Sequence, residues 1–144
     1  MTLRPGLTAD AVAIHHETFV QAFATDATGS FTATATQRMP NIPRDFKVDS
    51  VQYSLPAGVA ANASNFWTVT LKNGATTVAS WTTQTGVAGQ GTITANTPIA
   101  LVLSTTDANL VFGAGSSPTL VFTKTGTPAN LTPGTLDVHG KFVN

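Results

Sequence analysis

A chain of 144 residues with no net charge fits one domain, and its 42% hydrophobic residues can bury an ordinary core without metals or disulfides. Charged residues make up only 10% of the chain and are scattered, so there is no electrostatic footprint for binding nucleic acid or an anionic membrane surface. The absence of cysteine excludes a disulfide framework, a thiol nucleophile and a cysteine-based zinc site. Twenty-six threonines against one glutamate favour strands over exposed helices.

The first 30 residues differ from the rest, and we interpret residues 1–30 as an N-terminal arm on a domain of residues 31–144. Phe19 and Phe23 are four residues apart, with small apolar side chains near the same side, which suits a short amphipathic helix. An extended segment that becomes ordered only on a partner is the alternative, and the sequence does not separate the two.

From Phe31 onward the hydrophobic period is two, which is typical of a strand with one buried face. A corner with two prolines follows, and the next predicted strand covers residues 46–55. The apolar residues of that strand change phase along its length, so we predict a β-bulge near Asp49 and Ser50.

The clearest local signal is a β-hairpin formed by residues 66–72 and 76–83. Between them lies Asn73-Gly74, a pair that favours the positive φ angles of a tight primed turn. Counted from that turn, Trp67 and Trp81 face each other across the hairpin.

About eight short strands result when the C-terminal half is added. The further predicted strands are residues 99–104, 110–112, 120–125 and 135–143, with a brief pairing possible at 92–95. Short strands separated by turn signals, with no helical pattern between them, predict an all-β fold: an antiparallel β-sandwich of jelly-roll type with an N-terminal arm.

No residue pattern points to catalysis. The only histidines are His15, His16 and His139; two of them lie in the interpreted arm, where a catalytic group would not be held rigidly enough. Adjacent histidines also point to different sides of a helix or strand, which disfavours a metal site. We therefore assign no catalytic residue, no metal and no cofactor, and an enzyme is the least favoured class.

The aromatic residues leave a carbohydrate-binding module as a rival. Trp67, Trp81 or Tyr53 would stack on sugar if they were exposed on one flat face. Trp67 shares its phase with Val69 and Leu71, so core packing is favoured for this residue, while both interpretations stay open for Trp81.

Four segments within residues 42–143 form a shared pattern: "IPRDFKVDSVQYSL", "FWTVTLKNGATTVAS", "PIALVLS" and "TGTPANLTPGTLDVHGKF". Together they resemble the decoration, or cement, proteins of tailed bacteriophage capsids. The resemblance implies a jelly-roll sandwich on an assembled shell, often a trimer, whose N-terminal arm reaches neighbouring capsid subunits.

The function expected from this resemblance is a non-enzymatic virion protein that binds the assembled shell and stabilises it. The expected partners are the major capsid protein and further copies of the chain, a trimer being favoured, with no nucleic acid or membrane; a glycan is possible but unsupported. We expect synthesis in the host cytoplasm and a final place on the outer capsid surface. A head-fibre or tail-associated protein is a second rival. The residues expected to dock, as apolar or basic side chains of an arm without its own core, are Leu3, Arg4, Ile14, His15, Phe19 and Phe23.

Overall fold

The computed structural model describes residues 16–22 and 30–143, and these form two antiparallel β-sheets packed face to face. The prediction of an all-β sandwich is therefore confirmed. The strands in chain order are β1 His16–Ala22, β2 Ala35–Arg38, β3 Phe46–Ser54, β4 Phe66–Asn73, β5 Thr76–Thr82, β6 Ile99–Ala100, β7 Val102–Leu103, β8 Val111–Phe112, β9 Thr119–Thr125 and β10 Thr135–Phe142. A short 3₁₀ helix, Asp107–Leu110, precedes β8.

The chain passes back and forth between the two sheets. The first sheet has the order β1-β10-β3-β6, with β8 also paired to β3, and the second has the order β2-β9-β4-β5-β7. Apart from the β4–β5 hairpin, each strand is followed in the chain by a strand of the other sheet. None of the described helical residues makes a segment long and apolar enough to cross a membrane.

Side chains from both sheets form one hydrophobic core. The alternation of apolar residues and threonines in β4 gives alternating buried and half-buried positions, as a strand with one inward face requires. The Tyr53 and Phe122 rings, one from each sheet, lie 6.0 Å apart between their centroids. The largest fully buried side chains are Trp67, Tyr53, Phe46, Phe112, Phe122, Ile42, Leu55, Leu71, Ile93, Leu120, Leu131 and Leu136. Burying each large apolar side chain contributes about 1.5–3 kcal/mol, so this core dominates the stability of the fold.

The bulge predicted in β3 is present. His139 of β10 pairs with Ser50, and the next residue, Gly140, pairs with Val48, so Asp49 is the extra residue. The extra residue reverses the phase of β3, and buried side chains therefore lie on both sides of it in the sequence.

Gly140 has a packing role at this bulge. A Cβ atom on Gly140 would collide with the carbonyl oxygen of Lys47 and with the ring of Phe46. The glycine therefore allows β10 to approach β3 closely where Phe46 enters the core.

The β4–β5 hairpin is confirmed, but its turn is centred one residue later than the sequence predicted. Asn73 pairs with Thr76, and the two turn residues are Gly74 and Ala75. Gly74 has a φ of 59°, and this suits a primed turn with glycine at its first central position.

The predicted pairing of Trp67 with Trp81 is wrong. Trp81 pairs with Val69, because the turn is displaced and a bulge leaves Val78 without a partner in β4. The two tryptophans are therefore not cross-strand partners in the hairpin.

Two further strands differ from prediction. Residues 99–104 do not form one strand: β6 pairs with β3 in the first sheet and β7 with β5 in the second, with Leu101 at the crossing. The strand expected from Phe31 begins only at Ala35, since Phe31 makes an isolated bridge to Leu131.

Candidate functional site

The N-terminal segment pairs with the sandwich through β1. All seven β1 residues are in antiparallel register with β10, from His16 opposite Lys141 to Ala22 opposite Thr135. The sequence left both a helix and an extended segment open for this region. Residues 16–22 are extended.

Of the residues expected to dock, only one falls in the described part of the chain. Phe19 lies in β1 with its backbone opposite Val138. Leu3, Arg4, Ile14, His15 and Phe23 lie outside the described residues. Their docking role stays a prediction, as does the boundary of the arm at residue 30.

Strand β1 is the outermost strand of the first sheet as described. It pairs with β10 on one side, and no described strand pairs with its other side. The outer edge of a sheet carries main-chain N–H and C=O groups that can pair with a strand from another chain. The geometry therefore offers a site for strand addition next to the arm.

The aromatic residues do not form a sugar-stacking platform. Trp67 and Tyr53 are fully buried, and Trp81 is half-buried against the core. The Trp67 Nε1–H group donates a hydrogen bond to the carbonyl oxygen of Ala129 at 2.8 Å, and the Trp81 Nε1–H group donates to that of Gly91 at 3.1 Å. Core packing of Trp67 is confirmed, and both indoles hold loops in place.

Tyr53 is buried with its hydroxyl group inside the sandwich. Among the residues described, this hydroxyl oxygen has no hydrogen-bond partner. Burial raises the pKa of Tyr53 well above its ordinary value of about 10, because the phenolate would lose its hydration.

His139 is half-buried in β10, with Thr18 of β1 and Ser50 of β3 as its register partners. Two clefts of about 250 and 240 Å³ lie elsewhere, and neither is lined by a histidine or an aspartate. Within residues 16–22 and 30–143, no three histidine, aspartate or glutamate side chains come close enough to hold a metal ion.

Both clefts lie at one end of the sandwich, which we call the loop end and define as residues 55–65, 83–98 and 126–134. These three loops meet because β3 ends beside the start of β10, and β4 begins beside the end of β9. The three segments hold no lysine, arginine, aspartate, glutamate or histidine. Sequence reasoning treated each as a separate loop and missed the surface they form together, although their shared lack of charge is visible in the sequence.

Hydrogen bonds tie the three loops to one another. Val59 and Ile93 exchange main-chain hydrogen bonds of 2.8 and 2.9 Å, which join the first two loops. The Asn65 side-chain oxygen accepts a hydrogen bond from the Thr127 N–H group at 2.8 Å, which joins the first loop to the third. The hydrogen bond from the buried Trp67 side chain to the Ala129 carbonyl oxygen attaches the third loop to the core. The loop end is therefore a preformed surface.

The opposite end of the sandwich carries charged side chains of both signs. Lys47 forms an ion pair with Asp107, the Nζ to Oδ1 distance being 2.6 Å, and the Arg44 guanidinium lies 4.3 Å from the centre of the Phe142 ring. The charged residues at this end are Arg38, Arg44, Asp45, Lys47, Lys72, Asp107 and Lys141. The three loop-end segments thus lack charged residues, whereas this end carries both signs. Lys124, two residues before the third segment, is a charged neighbour of the loop end.

Comparison with known proteins does not assign a family. No protein-family model matches the chain, and no curated protein matches it. Among solved structures, a chain from the "Structure of infectious bursal disease virus Gx strain" aligns with 100% of this chain at 12% identity and a TM-score of 0.25. This chain spans 41% of the length of that chain. A TM-score this low carries no argument about fold or function.

Proposed function

We propose that this chain is a structural, non-enzymatic virion protein that binds the assembled capsid shell of a tailed bacteriophage and stabilises it. In this proposal the partner is the major capsid protein, the protein lies on the outer surface of the shell, and its copies form a homotrimer. The resemblance of residues 42–143 to decoration proteins motivates the proposal.

The observation that carries the proposal is the position of β1 at the outer edge of a sheet. Residues 1–15 lead directly into this strand, so an arm bound to capsid protein would be linked to the sandwich by main-chain pairing with β10. A capsid segment could also add to the outer edge of β1. Several weak contacts of this kind bind tightly only where shell subunits are held side by side, because multivalent attachment gains from effective concentration.

The strand order supports the jelly-roll part of the proposal. A jelly roll has two sheets built from two Greek keys, so that most successive strands lie in opposite sheets. Four strands in the order β1-β10-β3-β6 facing four in the order β2-β9-β4-β5 have this arrangement.

The test is co-sedimentation of the purified protein with undecorated phage shells and, separately, with unassembled capsid protein. We expect the full chain to sediment with shells and not to bind the unassembled protein. Removing residues 1–15, which leaves β1 in place, is expected to weaken shell binding at least about 10-fold, equivalent to about 1.4 kcal/mol.

A matched pair of substitutions controls for a general effect of adding charge. Ile14→Asp changes an arm residue expected to dock, whereas Val102→Asp changes an exposed apolar residue of the body, 50% accessible. Only Ile14→Asp should weaken binding. Failure of the full chain to bind shells would overturn the proposal, and binding to purified tails instead would establish the tail-associated rival. Shell binding that is weakened only by Val102→Asp would refute the role of the arm.

A further inference from the structure

A cleft of about 240 Å³ lies at the loop end, between the first loop and the third. Asn62 and Asn65 line it from the first loop and Thr127 from the third, and Val59 and Pro128 add apolar surface. Small-molecule sites commonly combine an apolar lining with a few polar groups that fix the orientation of the ligand. The lining of this cleft has that composition.

The two asparagine side chains use their oxygen atoms inside the protein. The Asn62 Oδ1 atom accepts hydrogen bonds from the N–H groups of Ser64 and Asn65, at 2.9 and 2.8 Å. The Asn65 Oδ1 atom accepts from the N–H group of Thr127 at 2.8 Å and from its hydroxyl group at 3.3 Å. These bonds fix which end of each amide is the oxygen, because an NH₂ group cannot accept them.

The NH₂ groups of the same two side chains are left to bind a ligand. Among the described residues, neither Asn62 Nδ2 nor Asn65 Nδ2 has an acceptor, and each can donate two hydrogen bonds. The Thr127 hydroxyl oxygen donates its proton to Asn65 and keeps lone pairs that can accept a further bond. The cleft therefore offers several donors beside one acceptor.

We propose that this cleft binds one sugar residue of a glycan. Neighbouring sugar hydroxyl groups can accept hydrogen bonds from the two amides and donate one to the Thr127 oxygen, since a hydroxyl group does both. The C–H side of the sugar ring can cover the apolar surface of Val59 and Pro128. The inference goes beyond the proposed function and does not depend on it, because a sugar can bind here whether or not the protein binds a shell.

The size and position of the cleft favour a single sugar over a peptide. Sites for drug-sized ligands have volumes of about 300–1,000 Å³, and this cleft of about 240 Å³ is smaller. A peptide that adds to a sheet pairs over several residues along an exposed strand edge. The residues that line this cleft belong to two loops instead.

The donors are held in place before a ligand binds. The Asn62 N–H group donates to the Thr83 carbonyl oxygen at 3.0 Å, and the Asn62 carbonyl oxygen accepts from the Thr85 N–H group at 3.3 Å. On the other side of the cleft, the Trp67 side chain holds the third loop through Ala129. A ligand would bind without first ordering these loops, and such ordering is a main cost of binding.

The test is a titration of the full chain with the methyl glycosides of glucose, galactose, mannose and N-acetylglucosamine, followed by ¹H–¹⁵N NMR spectroscopy. We expect at least one of these sugars to shift the side-chain NH₂ signals of Asn62 and Asn65 and the main-chain signal of Thr127. The shifts should saturate in the millimolar range.

Two substitutions remove the donors and keep the bonds that hold the loops. In Asn62→Asp and in Asn65→Asp, a carboxylate oxygen can accept the same internal hydrogen bonds, but the NH₂ group is lost. Each should weaken sugar binding at least about 10-fold. Asn96→Asp is the matched control: it adds the same charge at an exposed asparagine of the other cleft and should bind sugar like wild type. Unchanged melting temperatures establish that every variant is folded.

Four results would each overturn the inference. They are a panel in which no sugar shifts any signal, shifts confined to residues outside the cleft, variants of Asn62 and Asn65 that bind as wild type or no more weakly than the control, and an alanine tetrapeptide that shifts the cleft signals when no sugar does. None of them involves phage shells, so this inference and the proposed function can fail separately.

Discussion

Strand β4 and strand β1 occupy opposite situations in the sandwich. Strand β4 lies inside its sheet between β5 and β9, and it contributes Trp67, Val69 and Leu71 to the core. Strand β1 lies at the edge of the other sheet, where β10 is its single neighbour among the described strands. A central strand such as β4 stabilises the fold through its buried side chains. An edge strand such as β1 can pair with a strand of another chain while the core stays intact.

The largest expected effect on the free energy of unfolding comes from a substitution in the central strand β4. Trp67→Ala should lower the free energy of unfolding by about 3–5 kcal/mol, because it leaves a cavity at a fully buried site and removes the bond that holds Ala129. Trp81→Ala is the matched control and should have a smaller effect, since Trp81 is half-buried. Urea denaturation measures both, and equal losses would contradict the distinction between the two sites.

The comparison between the two strands is sharpened by hydrogen exchange. Amides of β4 should exchange only when the whole domain unfolds, whereas amides of β1 should exchange at least about 100-fold faster through local opening at the sheet edge. Exchange followed by mass spectrometry on peptides covering the two strands measures this. Equal protection would mean that β1 belongs to the same cooperative unit as the core.

A smaller effect is expected where a polar group lies in the core. Tyr53→Phe removes a buried hydroxyl that has no described hydrogen-bond partner, so the free energy of unfolding should stay the same or rise by up to about 1 kcal/mol. Urea denaturation again provides the measurement. A fall of several kcal/mol would show that the hydroxyl group is paired.

The same substitution should change the pH dependence of stability. Burial raises the pKa of Tyr53 in the folded chain, so the unfolded chain loses the proton first. The free energy of unfolding that Tyr53 contributes by staying protonated is complete below the unfolded pKa of about 10. It is lost as the pH rises above that value. Tyr53 is the one tyrosine in the sequence, and alkaline denaturation of the Tyr53→Phe variant should therefore begin at higher pH than that of wild type.

Local patterns predicted local features well. The phase change of apolar residues in β3 located the bulge at Asp49, because a strand with one buried face must insert a residue to change phase. The phase of Trp67 predicted its burial in the same way. Both predictions depend only on residues close together in the sequence.

The features that the sequence did not predict depend on contacts between distant residues. The bulge at Val78 displaced Trp81 from Trp67, and the crossing at Leu101 divided one predicted strand between two sheets. The loop end required the order of β3, β4, β9 and β10 in space before its three segments could be placed side by side. No periodicity within a single segment contains that information.

The hairpin turn at Gly74-Ala75 is a suitable place to insert a foreign peptide. It lies at the far end of β4 from the loop end, about 27 Å away for eight strand residues, and there is open space around Gly74. A foreign peptide grafted into this turn would project away from the three loops at the opposite end of the sandwich. The domain could therefore present an inserted epitope in a fixed orientation without disturbing the core or the loops at the other end.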